Sequence, residues 1–127
     1  MPSNETCGIK QLGRREYYCH VELFIQILGG KWKPIILWHL NSDDTLRFGE
    51  LKRTMPNITQ KMLTQQLREM ESDGLVHREV YPQVPPRVEY SLTALGHSAV
   101  PLLHVLCEWG KEYERVQCAG QTGRDAA

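Results

Sequence analysis

Residues 58–74 read ITQKMLTQQLREMESDG, and the fold turns on how this stretch is read. Leu63, Leu67 and Met70 recur at steps of four and three, which predicts one apolar stripe along a helix. Thr59 suits the N-cap, Ile58 before it can staple onto Leu63, and Gly74 suits the stop. Opposite the stripe, mostly toward the N-terminal half, lie Gln60, Lys61, Thr64, Gln65 and Arg68.

Working upstream, Phe48, Leu51 and Met55 fall at i, i+3 and i+7, so Arg47 to Met55 reads as a short helix ended by Pro56 and Asn57. Two helices joined by a tight turn, the second well capped with a polar leading edge, form a helix-turn-helix pattern. Before them, Val21 to Leu28 reads as a helix with Val21, Phe24, Ile25 and Leu28 on one stripe, stopped by Gly29 and Gly30. Trp32 to Leu40 reads as another, with Pro34 tolerated because it lies in the first turn. Asn41 to Thr45 makes a polar turn.

Downstream of Gly74 the period changes from helical to alternating. Val76 and Val80 mark one strand, and Val88, Tyr90 and Leu92 a second, antiparallel to it. The connector Pro82-Gln83-Val84-Pro85-Pro86 is too proline-rich to pair in a sheet and predicts a stiff loop ending at Arg87, a wing. Thr93 then caps a helix in which Leu95, Ala99, Leu102, Leu106, Trp109 and Tyr113 recur at steps of four and three, a helix-packing seam that Pro101 should kink or split. The fold class is therefore mainly α with a small β-hairpin wing. Residues 18–114 form one domain, between ends at 1–17 and 115–127 expected to be mobile.

The chain has 127 residues, 41% of them hydrophobic and 24% charged, a profile of one globular domain. No apolar run reaches the roughly 18 residues of a membrane span, and MPSNETCGIK lacks a signal-peptide core, so the expected compartment is the cytoplasm. Net charge of zero argues against a protein that coats nucleic acid indiscriminately, but leaves room for a local patch. Cys7, Cys19, Cys107 and Cys118 are widely spaced and make no C-x-x-C pair. His104 and Cys107 at i, i+3 lack further ligands at matching spacing, so neither metal nor cofactor is expected.

The residue types on the capped helix suit direct readout of duplex DNA: Gln pairs bidentately with adenine, Arg or Lys with guanine, and Thr reaches phosphate or the thymine methyl. Thr59 and the free N–H groups at the helix start suit a phosphate. Arg87 on a rigid wing suits phosphate or a narrow minor groove, and Arg47, Lys52 and Arg53 are further candidates for backbone contacts. A solvated helix face, or a winged-helix module that binds protein instead, are the alternatives from other classes. A thiol enzyme with Cys19 as nucleophile and His20 or His39 as base is disfavoured, since adjacent helical residues point about 100 degrees apart and no oxyanion loop is evident.

Seven segments together resemble the HxlR-type (DUF24) regulators, a group of MarR-like architecture. They are Cys19 with Val21-Glu22; Ile27-Leu28-Gly29-Gly30-Lys31-Trp32; Arg47-Phe48-Gly49-Glu50-Leu51; Leu63-Thr64-Gln65-Gln66-Leu67; Asp73-Gly74-Leu75-Val76; Tyr81 through Tyr90; and Leu106-Cys107-Glu108-Trp109-Gly110. The resemblance covers Cys19 to Tyr113. It implies a transcriptional regulator that binds palindromic operator DNA as a homodimer, joined through terminal helices and so through the seam of Leu102, Leu106, Trp109 and Tyr113. It also implies that Cys19 stands where several members sense electrophiles or oxidants. The positive end of a helix dipole favours thiolate, which suits that role. His20 replaces the family's usual proline after this cysteine. Cys107 near the seam reads as buried, although an intersubunit disulfide with Cys19 is conceivable; Cys7 and Cys118 read as bystanders.

Overall fold

The computed structural model describes residues 8–42 and 45–126. A hairpin of β1 (Lys10–Leu12) and β2 (Arg15–Tyr17) leads into α1 (His20–Leu28) and α2 (Trp32–Ser42). β3 (Leu46–Arg47) runs directly into α3 (Phe48–Thr54), and α4 (Gln60–Ser72) follows across a short turn. β4 (Val76–Tyr81) and β5 (Arg87–Leu92) make the wing, and α5 (Ala94–Ser98) and α6 (Val100–Ala126) complete the order. The three-stranded sheet is antiparallel in the order β3-β5-β4, with Val76 opposite Leu92 and Val80 opposite Val88.

The capped helix forms for the reasons its sequence carries. Thr59 Oγ1 accepts from the Met62 N–H at 3.0 Å, satisfying an amide that has no partner within the helix. At the other end Gly74 adopts φ +81°, a left-handed conformation open to glycine without steric cost. There the Leu75 N–H reaches Met70 O and the Gly74 N–H reaches Glu71 O, a Schellman closure. Leu63, Leu67 and Met70 are buried against Ile36, Leu37 and Leu40 of α2 and Leu51 of α3, so the core lies between the helix pair and α2. Ile58, the expected staple, is buried in the same cluster.

The C-terminal helix divides as Pro101 requires. A proline ring collides with the carbonyl four residues earlier and donates no hydrogen bond, so α5 ends at Ser98 and Pro101 falls in the first turn of α6. Thr93 caps α5, its hydroxyl accepting from the Gly96 N–H at 3.0 Å.

Four features depart from the sequence reading. The N-terminal segment expected to be mobile contains the β1–β2 hairpin, whose three-residue strands are too short to show alternation. It is anchored by Arg15, whose guanidinium donates to both oxygens of Asp73 at 2.8 and 2.9 Å, a partner 58 residues away. β3 was not expected: Arg47 pairs with Glu89 as a strand residue and precedes α3 instead of opening it. On α1 the predicted stripe divides, with Leu28 buried and Val21 and Ile25 exposed. The last departure concerns the tail from 115, which continues α6 as helix to Ala126. Asp43 and Asp44 of the polar turn, and Cys7, lie outside the described residues.

Candidate nucleic-acid interface

Burial of Leu63, Leu67 and Met70 turns the other face of α4 outward. Gln60, Lys61, Thr64, Gln65, Arg68 and Glu69 line one open groove of about 640 Å³. Thr59, Gln60, Lys61, Gln65 and Arg68 are exposed and Thr64 is half-buried, so the predicted residues of this helix share one surface. Beside it, Thr64, Arg68, Glu71, Arg78 and Tyr90 line a second depression where α4 meets the wing. Arg78 is not among the residues that the sequence singles out. Its signal was available in the alternation that sets Val76 and Val80 on one face, since Arg78 has the same parity.

The wing candidates gather elsewhere. Arg47 and Arg87 flank a cleft between the start of α3 and the wing loop, lined also by Gly49, Gln83 and Pro85. Arg87 opens β5 directly after the loop, where the sequence places it. Its guanidinium carbon stacks 4.3 Å from the Tyr81 ring centroid, across the strand pair from it, and its Nε lies 3.3 Å from Glu89 Oε2 without hydrogen-bond geometry. Val84 in the loop is fully exposed. Arg53 is exposed and Lys52 half-buried on α3; neither lines these grooves.

Two ion pairs hold α4 from behind. Arg15 ties its C-cap residue Asp73 to the hairpin and also donates to Gln26 O of α1 at 3.3 Å. Lys33, in the first turn of α2, places Nζ 2.6 Å from Glu69 Oε1. The hydrogen bond from Lys33, then that from Gln65, holds the Glu69 carboxyl below its ordinary range against the opposing effect of burial. Because that folded-state value is lowered, the pair stabilises the fold above the ordinary carboxylate range and loses its contribution as pH falls through the lowered value.

Cys19 is exposed at the N-cap of α1, its carbonyl accepting from the Leu23 N–H at 3.2 Å while its side chain makes no capping bond. His20 beside it faces the Tyr17 ring, centroids 5.6 Å apart. Cys107 is half-buried and lines a small apolar cavity with Ile35, Trp38 and Leu106. His104 packs edge-on against Trp38 at 5.1 Å, and among the described residues no group of three His, Cys, Asp or Glu side chains is placed to hold a metal. The predicted seam faces outward in the single chain: Leu102, Leu106, Trp109 and Tyr113 are all exposed, with the last two rings stacked at 5.4 Å. No helix among the described residues is long and apolar enough to cross a membrane.

A capped helix presenting polar side chains beside a two-stranded wing defines a winged helix-turn-helix protein. The chain belongs to the HxlR-like helix-turn-helix family, which matches residues 27–117, and is a transcriptional regulator of that MarR-like type. It is 57% identical over 102 residues to an uncharacterized HTH-type transcriptional regulator of Methanothermobacter thermautotrophicus, spanning 80% of this chain and 77% of the relative. Among solved structures it is similar to the redox regulator HypR. The reduced form shares 50% identity at a TM-score of 0.73, covering 77% of this chain and 96% of that one. For the oxidized form the values are 52% and 0.70, covering 74% and 96%.

Proposed function

We propose that the chain binds operator DNA as a homodimer, with the N-terminal half of α4 in the major groove and the wing against the backbone. The observation that carries this reading is the shared surface of Gln60, Lys61, Thr64, Gln65 and Arg68 at the capped end of a helix whose other face is sealed into the core. Gln65 and Arg68 carry base-reading chemistry, while Thr59, Lys61 and Arg87 supply phosphate contacts, joined by one of Arg47, Lys52 and Arg53. Exposed Leu102, Leu106, Trp109 and Tyr113 supply the dimer seam, since apolar rows of this length are ordinarily covered.

The test is binding of the purified protein to the intergenic DNA upstream of its own gene, across a salt series. Lys61→Ala and Arg87→Ala are each expected to weaken binding to every duplex, and to reduce the slope of log affinity against log salt by about 1.8, one phosphate contact being lost in each subunit. Gln65→Ala is expected to shift base preference more than overall affinity. Unchanged binding in all three variants would place the docking face elsewhere.

The same proposal assigns Cys19 as the thiol through which oxidants or electrophiles act on DNA binding. Its exposure at the start of α1 supports this, together with the likeness to a protein described as a redox regulator in oxidized and reduced forms. Oxidant is expected to alter binding to the upstream DNA, reductant to restore it, and Cys19→Ser to make it insensitive. A Cys19→Ser variant that responds like the parent would move sensing to another site.

A further inference from the structure

Glu69 is an acid on the groove that the reading above presents to DNA, where an unpaired carboxylate would repel phosphate. It is not unpaired. One oxygen lies 2.6 Å from Lys33 Nζ, and the other accepts from Gln65 Nε2 at 3.2 Å. Lys33 reaches it from α2, behind the DNA-facing surface, with only 11% of its side chain exposed against 44% for Glu69. A core-anchored cation therefore fixes an acid, and that acid fixes a glutamine.

We propose that Lys33 and Glu69 are positioning residues that hold the Gln65 amide in the orientation that reads a base edge. The inference rests on the DNA-binding reading. A carboxylate only accepts hydrogen bonds, so it selects the NH₂ end of the Gln65 amide and commits one of its two hydrogens. The other hydrogen and Oε1 stay available, which is the donor-and-acceptor pair that adenine N7 and N6–H require. An untethered glutamine on an exposed helix face samples other rotamers and the flipped amide, and loses that freedom on binding. The lowered ionisation range of Glu69 keeps it an acceptor at neutral pH, and Lys33 cancels its charge toward DNA.

The probe is the set of duplexes that the unsubstituted protein selects from a random-sequence library, with single base-pair replacements across the selected site. Gln65→Ala identifies the base pair that Gln65 reads, where a bidentate contact discriminates by about tenfold or more. Glu69→Ala is expected to reduce discrimination at that base pair to about twofold. It should leave the salt slope unchanged and add nothing to Gln65→Ala. Glu69→Gln, which keeps an acceptor, is expected to retain most of the discrimination.

Because Glu69→Ala leaves Lys33 buried without its partner, the double variant Lys33→Met/Glu69→Ala is measured alongside, with its thermal melt. It should fold and show the same loss. Full discrimination in the folded double variant overturns the relay, as does a loss spread evenly over all positions, or Gln65→Ala with unaltered discrimination. If the library yields no enriched sequence, the DNA-binding reading falls and takes the relay with it; enrichment with discrimination intact in the double variant removes the relay alone.

Discussion

Trp109→Glu is expected to convert the protein to a monomer at micromolar concentration and to abolish measurable binding to the upstream duplex. Trp109 is 66% exposed in the single chain, on a row with Leu102, Leu106 and Tyr113 that runs along the outer face of α6. Among the described residues, none of that row joins the buried core. In a twofold dimer each subunit contributes the same patch, so one substitution places two carboxylates in the interface. An unpaired charge in an apolar contact costs about 3 kcal/mol or more, which raises the dissociation constant by at least about a hundredfold. Operator affinity falls with it, because two linked half-site contacts gain from high effective concentration and separate ones do not. Sedimentation velocity reads the mass and anisotropy the binding. A Trp109→Glu protein that stays dimeric and still binds would move the interface off α6.

The second large effect is on stability. Gly96→Ala is expected to lower the melting temperature by roughly 10 °C or more, through a loss of about 3 kcal/mol. A methyl group at Gly96 would meet Leu75 O at 2.2 Å and the Leu92 Cβ at 3.4 Å. The first neighbour is backbone and cannot swing aside. It is also engaged, since Leu75 O accepts from the Thr93 N–H at 3.0 Å at the junction of α4, the wing and α5. Relief must therefore come from lifting α5 off that junction, which disturbs Leu103 where α6 enters the core. Gly120→Ala is the control, because nothing lies within 4 Å of its added carbon and no loss of stability is expected. Equal melting of the Gly96→Ala and Gly120→Ala proteins would show that α5 is free to shift.

These two sites differ in how far the chain's sequence announces them. The row on α6 is legible as periodicity, yet its exposure is not, because spacing along a helix says that one side is apolar and not what covers it. Gly96 carries no local signal at all: it sits inside a five-residue helix, and only its distance to Leu75 explains it.

The same division runs through the whole molecule. By itself the sequence determined α2, α3, α4, the wing strands and the break near Pro101, because caps, stripes and proline clashes act between residues within about four positions of each other. It also determined which side chains of α4 face away from the core. What only the tertiary structure decided are contacts between positions far apart in the chain: Arg15 on Asp73, Lys33 on Glu69, and β3 on β5. No periodicity encodes these, since each depends on where α2, the hairpin and the wing come to rest once the apolar faces have packed.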